Sequence, residues 1–284
     1  MSDCAGNTWC GGWTTMGWAS LASLGGIIAV VAVTFLVALR LGRHNVIDTA
    51  WGVGFLVALL AADAVALHSA HHGGSDRRIL ITILTAIWAL RLAVHMAVRG
   101  RGEGEDPRYV AMLADAPGSR TLYALRKVYL VQAVAMWFVS LPLQVTAVGG
   151  GSVGLLGWLG VVVWIVGFVF EAGGDWQLQA FRNDPANKGK VMNRGLWRYT
   201  RHPNYFGDAA QWWGFGLIAF AHWPGILTVA SPALMTWFLA RKTGKPLLES
   251  HLTASRPGYG EYIEATSGFF PLPRRAPTSP SVAS

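Results

Sequence analysis

From Trp13 to Leu39 the chain carries no charged residue. A run this long outstrips what a small soluble core can cover, and it spans the roughly 30 Å of hydrocarbon in a bilayer when helical. Comparable windows lie near Trp18–Leu39, Val46–Leu67, Ile79–Val98, Val128–Val148, Val153–Glu171, Phe206–His222 and Trp223–Ala240. The last two meet at a tight turn, Trp223-Pro224-Gly225, a sequence of breaker residues. Charged residues make up 13% of the chain, about half the share of a soluble domain. The ten-residue alternating segments of a membrane barrel are absent. The expected fold is all-α, a polytopic membrane protein with seven transmembrane helices.

The distribution of positive charge tests that expectation. Lys and Arg number two, six and six in the connections after spans one, three and five, and six after span seven. The opposite side holds only Arg77 and Arg78, with Arg91 inside span three. Cytoplasmic connections carry the Lys/Arg excess, so the N-terminus is expected outside and the C-terminus in the cytoplasm, the cytoplasmic membrane of a bacterium being the expected location. The same count explains most of the net charge of +8, which then needs no nucleic-acid partner. No protein partner is indicated.

Residues 1–17 read as a polar N-terminal segment, 18–270 as the membrane domain, and 271–284 as a disordered Pro/Ser-rich tail. No basic region precedes the first apolar run, so no cleavable signal is expected. Cys4 and Cys10 could pair if that end is extracytoplasmic. Gly149, Gly151 and Gly154 match G-x-G-x-x-G, but between two spans they read as a flexible turn, not a dinucleotide fingerprint. His68, His71 and His72 could form a metal site, but a solvated turn is the stronger reading, and no P-loop, HExxH or CxxC pattern occurs.

One connection exceeds what topology requires. Between Arg182 and Tyr205 the chain sets Arg182, Lys188, Lys190, Arg194, Arg198 and Arg201 against a single acid, Asp184. It then continues through Trp197, Tyr199, His202, Pro203, Asn204 and Tyr205 to Asp208. Arg forks and Lys point charges suit phosphates, and flat aromatic faces suit adenine or nicotinamide. Asn204 and Asp208 can hydrogen-bond a carboxamide or ribose hydroxyls. The bland reading, that these cations only set topology, accounts for Lys188 and Lys190 but not for His202-Pro203-Asn204-Tyr205.

The string Asn193-Arg194-Gly195-Leu196-Trp197-Arg198-Tyr199, followed by Arg201-His202-Pro203-Asn204-Tyr205-Phe206-Gly207-Asp208, resembles the signature of the steroid 5α-reductase superfamily, its uncharacterised bacterial branch in particular. Arg256-Pro257-Gly258-Tyr259-Gly260-Glu261-Tyr262 fits the same family's C-terminal pattern. The resemblance implies NADPH as cofactor. It implies contacts from Asp175, Arg182, Trp197, Asn204, Tyr205, Asp208, Arg256, Tyr259 and Tyr262, to which the residue chemistry adds Arg194, Tyr199, Arg201 and His202. Glu171 falls where some reductases carry a polar amide.

Four ionisable residues lie in or at the ends of the early spans: Asp48, Asp63, Arg91 and His95. Charges at that depth face a bundle interior or a cavity. Arg91 and His95, four apart, share a helical face. The steroid reductases polarise the substrate carbonyl with a Glu on span two and a Tyr on span three. Here Asp48 is the counterpart of the first, while span three has no Tyr, leaving Trp88 or His95 nearest. Asp48 and His95 are therefore the candidate catalytic residues, and Trp51, Trp88, Arg91 and Trp212 the candidate substrate pocket. The expected activity is reduction of a conjugated carbon–carbon double bond in a steroid-like or other lipid taken from the bilayer. Two rivals stay open. Isoprenylcysteine and phospholipid methyltransferases, which use S-adenosylmethionine, also place Arg-His-Pro-x-Tyr before a late span. A lipid- or sterol-binding protein without chemistry would keep the site and dispense with the span-three Tyr.

Overall fold

The structure, a computed structural model, describes residues 12–69, 76–100, 104–114, 116–242, 249, 252–253 and 256–275. Cys4, Cys10, His71 and His72 lie outside the described residues. Among the described residues all regular structure is helical. The helices are α1 Trp13–Leu41, α2 Ile47–His68, α3 Asp76–Arg99, α4 Pro107–Ala114, α5 Arg120–Val139, α6 Leu141–Gly149, α7 Gly154–Asn183, α8 Pro203–Phe220, α9 Gly225–Arg241 and α10 Tyr259–Ala265.

Five of these, α1, α2, α3, α5 and α7, are long and apolar enough to cross a membrane. Their outward side chains, among them Leu21, Ile28, Val33, Leu36, Ile83, Val134, Val162 and Val169, are exposed hydrophobics, as helices solvated by lipid require. The expected single span at Val128–Val148 is instead two helices. Gln144 Nε2 donates to Ser140 Oγ at 2.7 Å and to the Trp137 carbonyl at 3.2 Å, holding the break at Ser140. Pro142, which has no N–H to give, opens α6, and Pro142 through Val148 are all buried. The expected sixth and seventh spans correspond to α8, 18 residues, and α9, a shorter apolar helix.

The chain divides into two compact units, residues 1–158 with 216–231, and residues 159–215 with 232–284. In the first, α2 is the central helix. Gly52 passes so close to the Ala89 carbonyl that a Cβ would collide with it, and Ser23 Oγ donates to the Ala58 carbonyl at 2.7 Å. Asp63 is buried and accepts from Thr82 Oγ1 at 2.9 Å. Arg77 and Arg78, placed by sequence in a connection, lie buried in the first turn of α3.

In the second unit α7 and α8 pack backbone to backbone. A Cβ on Gly167 would lie 2.6 Å from the Gly207 carbonyl and 2.7 Å from the Gln211 nitrogen. One on Gly214 would lie 2.7 Å from the Gly160 carbonyl, and one on Gly174 would lie 3.0 Å from Pro203 Cγ. Gly160 and Gly167 on α7 thus meet Gly214 and Gly207 on α8, and Gly174 meets Pro203, the glycines on each helix being spaced by seven. Small residues at such a seam let helices approach closely where lipid supplies no hydrophobic drive.

Candidate functional site

The close approach of α7 and α8 sets polar side chains against one another at the helix ends. Asn204 Nδ2 donates to Asp175 Oδ1 at 3.0 Å, and Asn204 Oδ1 accepts from the Tyr205 backbone N–H at 3.1 Å. Deeper in the seam, Gln211 Nε2 donates to Glu171 Oε2 at 2.5 Å, with Glu171 3% and Gln211 0% exposed. Asp208, one turn beyond Asn204, is half-buried. Trp212 is fully buried, edge-on to Phe215 at 5.5 Å.

The connection from α7 to α8 folds on a small apolar core of Phe181, Met192 and Trp197 with Leu178 packed on it. Trp197 Nε1 donates to the Gly174 carbonyl at 3.0 Å, and the Arg194 guanidinium lies 5.3 Å from the centre of the Phe181 ring. Gly195, with φ of 61°, lets Leu196 N donate to Gln177 Oε1 at 2.9 Å. Asp184 is spent on the loop, accepting from Ala186 N at 2.9 Å and Asn187 Nδ2 at 3.1 Å. Beside it lies a cavity of about 250 Å³ whose wall includes Arg182, Lys188 and Arg256. Arg256 is held there by its bond from Nη1 to the Lys190 carbonyl, 2.7 Å. Three cations border this small cavity, whose wall also includes the Asp184 carboxylate, leaving positive charge in excess there.

The other motif residues tie the C-terminal segment to this connection. Arg201 is 7% exposed; its Nε donates to Glu249 Oε1 at 2.7 Å, and its Nη1 donates to the Ile263 carbonyl at 2.8 Å and to the Thr266 carbonyl. His202 Nε2 lies 3.0 Å from the same Glu249 oxygen, and its ring stacks on Tyr205 at 5.3 Å. Thr200 Oγ1 donates to the Phe269 carbonyl, Tyr262 Oη to the Trp197 carbonyl, and Leu272 N to the Tyr199 carbonyl. Leu272, within the tail expected to be disordered, is therefore hydrogen-bonded. Burial alone would raise the Glu249 carboxyl, but the bonds and charges of His202 and Arg201 hold it at about 2. Burial and then the Glu249 carboxylate push the Tyr259 hydroxyl up to about 12, and burial raises Tyr262 as well. Both stay neutral hydrogen-bond donors at physiological pH. Tyr199 is exposed.

The structure therefore sorts the thirteen cofactor candidates by surroundings. Arg182 and Arg256 line the cavity; Asp175 and Asn204 pair; Trp197, Arg201, His202 and Tyr262 are buried among protein partners. Glu249, absent from the sequence reading, holds two of them. It lies 47 residues past His202 in a polar segment with no periodicity to mark it, so only the fold reveals it.

In the first unit, Asp48 and Trp51 belong to a hydrogen-bonded chain. Trp51 Nε1 donates to Gln132 Oε1 at 2.6 Å, Gln132 Nε2 to Tyr109 Oη at 3.4 Å, and Tyr109 Oη to Asp48 Oδ1 at 3.2 Å. Tyr109 and Gln132 were both missed. Gln132 could have been noticed as the one amide in the apolar run Val131–Val139. Trp88 is buried against Phe55, ring centres 5.6 Å apart. Arg91 and His95 are half-buried, one turn apart on α3.

Residues 34–266 match the family described as protein of unknown function DUF1295. An uncharacterised protein of Schizosaccharomyces pombe is 24% identical over 247 residues, 73% of this chain and 69% of the relative. The 3-oxo-5-alpha-steroid 4-dehydrogenase 1 of mouse is 32% identical over 62 residues, 22% of this chain and 24% of the enzyme, and the rat enzyme matches over the same shares. The chain thus spans about a quarter of the length of those two enzymes. No solved structure matches. The chain belongs to DUF1295, a steroid 5-alpha-reductase-like family.

Proposed function

We propose that this family member is a membrane-embedded, NADPH-dependent reductase of a carbon–carbon double bond conjugated to a carbonyl. Its substrate is a steroid-like or other lipid drawn from the bilayer. Seven spans, with the N-terminus outside and the C-terminal unit in the cytoplasm of a bacterial cell, are part of the proposal. The observation that carries it is the cavity walled by Arg182, Lys188 and Arg256. A pyrophosphate or 2′-phosphate needs such a cluster, whereas S-adenosylmethionine has no phosphate to place there.

The residues fit a dinucleotide. Arg182, Lys188 and Arg256 would hold phosphate, and Asn204, fixed by Asp175, would present its remaining amide capacity to a carboxamide or ribose. NADPH, when bound, supplies the hydride. What the chain supplies is binding, orientation, exclusion of water by the apolar helices, and a donor for the charge that develops on the substrate oxygen.

Thermal unfolding in mild detergent with NADPH, NADH or S-adenosylmethionine tests the reading. NADPH should raise the midpoint most. Stabilisation by S-adenosylmethionine alone would overturn the reductase in favour of a methyltransferase, and no stabilisation by any would favour a binding protein. The double variant Arg182→Ala/Arg256→Ala should weaken NADPH at least tenfold, with a smaller loss at high salt, where the charges are already screened. Asn204→Ala should also weaken it while helix content stays unchanged; an unaltered affinity removes Asn204 from the site.

A further inference from the structure

Arg77 is a buried charge without a match. It is 3% exposed, in the first turn of α3, a helix long and apolar enough to cross a membrane. Among the described residues nothing accepts a hydrogen bond from its Nε or its Nη1. Its neighbour Arg78, also buried, has a counter-charge in Asp63 on α2. An unmatched guanidinium is among the costliest groups a fold can bury. At the end of a membrane helix such a residue serves a ligand or a pathway more often than packing.

Three connections of the first unit meet beside it. Arg77 N donates to the Gly151 carbonyl at 3.0 Å, which ties the start of α3 to the α6–α7 connection. His222 Nε2, in the α8–α9 connection, donates to the Ser152 carbonyl at 2.9 Å. Apart from Arg77 and Arg78 these connections hold no Lys or Arg, so topology does not place positive charge here. Gly151 has a φ of 88°. Among the described residues, a Cβ built on it meets Arg77 Nη2 at 4.0 Å and nothing else within that distance. The glycine therefore leaves room beside the guanidinium, at a loop fixed from two sides.

The next residues of the same loop, Ser152 and Val153, line a cavity of about 520 Å³, a size typical of ligand pockets. Ile79, Leu80 and Ile83 on α3 and Trp158 on α7 form its apolar wall, and Asp76 adds a carboxylate at the rim. Ile79, Ile83 and Trp158 are about half exposed, so the cavity opens on the surface that lipid covers. Along α3 its lining runs from Asp76 at the helix start to Ile83 two turns in. The polar end thus lies toward the membrane surface and the apolar end toward the hydrocarbon.

The geometry points to a phospholipid site. Arg77 takes the phosphodiester at the Gly151 loop, an acyl chain lies along Ile79, Leu80, Ile83 and Trp158, and Asp76 takes an ammonium in the headgroup. An Arg fork suits phosphate oxygens and stays charged at any pH of interest. Asp76 decides the headgroup: its exposed carboxylate repels one that carries only negative charge and attracts a primary ammonium. The occupant is therefore a zwitterionic lipid of the phosphatidylethanolamine type. This site lies wholly in the first unit and does not depend on the reductase reading.

The test uses the full chain, delipidated in mild detergent, and reads thermal unfolding and native mass spectrometry. The probes are dioctanoyl phosphatidylethanolamine, dioctanoyl phosphatidylglycerol, glycerophosphoethanolamine and inorganic phosphate. Wild-type protein should bind the ethanolamine lipid about tenfold more tightly than the glycerol lipid and gain stability from it. The chainless headgroup and inorganic phosphate should not stabilise at the same concentration. Arg77→Met should weaken the ethanolamine lipid at least about tenfold, the loss of a charge-assisted bond. Without lipid it should melt no lower than wild type, because it removes an unmatched buried charge. Asp76→Asn should erase the preference between the two lipids, and Trp158→Ala should weaken both alike. Undiminished lipid binding by Arg77→Met overturns the proposal. So does an Arg77→Met protein that melts well below wild type without lipid, since the guanidinium then has a partner in the protein. Stabilisation by inorganic phosphate equal to that by lipid overturns it in favour of a free-anion site. Equal binding of the two lipids by wild-type protein overturns the role of Asp76.

Discussion

Gly207→Ala should abolish the folded α7–α8 pair, costing about 3 kcal/mol or more. The Cβ would lie 2.5 Å from the Gly167 carbonyl and closer still to the Glu171 nitrogen. Both atoms are helix backbone, so no rotamer change can relieve the overlap and the helices must part. Parting them separates Gln211 from Glu171 and Asn204 from Asp175, so NADPH stabilisation should vanish together with the melting transition. Gly260→Ala is the control, because nothing lies within 4 Å of its added methyl. A Gly207→Ala protein that melts within a degree or two of wild type would refute the backbone contact.

Glu249→Gln should be nearly as damaging. The carboxylate is 16% exposed and bonded to Arg201, 7% exposed, and to His202, 1% exposed. Taking the charge from one partner of a buried pair strands the other, at a cost of roughly 3 kcal/mol. The C-terminal segment, fastened through Arg201 to Ile263 and Thr266, should then become sensitive to limited proteolysis. The pH dependence follows in sign. A carboxyl held at about 2 against an ordinary 4.5 contributes fully above about 4.5 and loses that contribution as pH falls toward 2. Wild-type stability should therefore drop across that window, and the Gln variant should show a shallower drop. Equal acid sensitivity in both would show that the Glu249 carboxylate does not hold Arg201 and His202.

Much of this was written openly in the chain. Uncharged runs announce the helices, because hydrocarbon forbids unpaired backbone and tolerates few charges. The basic connection is what points to the proposed cofactor site, because topology needs cations but not the Asn204 and Tyr205 that follow them. Other features were hidden for physical reasons. Ser140 and Pro142 interrupt a run apolar enough to read as one span, and the side-chain bonds from Gln144 show where the chain breaks. Tyr109 sits in a short amphipathic segment, and its neighbour Asp48 is 61 residues away. Glu249 and His202 are likewise distant in sequence. Arg201 and His202 read as cofactor ligands by composition, yet their hydrogen bonds run to the protein's own C-terminal segment. A motif thus reports that residues belong together without reporting which of them face outward.

The glycine seam has a consequence for how the chain can change length. Inserting one residue between Gly160 and Gly174 would swing the next glycine about 100° away from α8 and present a side chain where there is no room. Inserting seven would bring a glycine back to nearly the same azimuth, but would carry Asp175 about 10 Å along the axis from Asn204. Deletions fail for the same two reasons. Of the lengths the helix could take, one satisfies both the glycines and the polar pair. Gaps in an alignment of the family should therefore fall in the connections and spare this segment: its residue count is fixed more tightly than the identity of the apolar side chains that face outward from it.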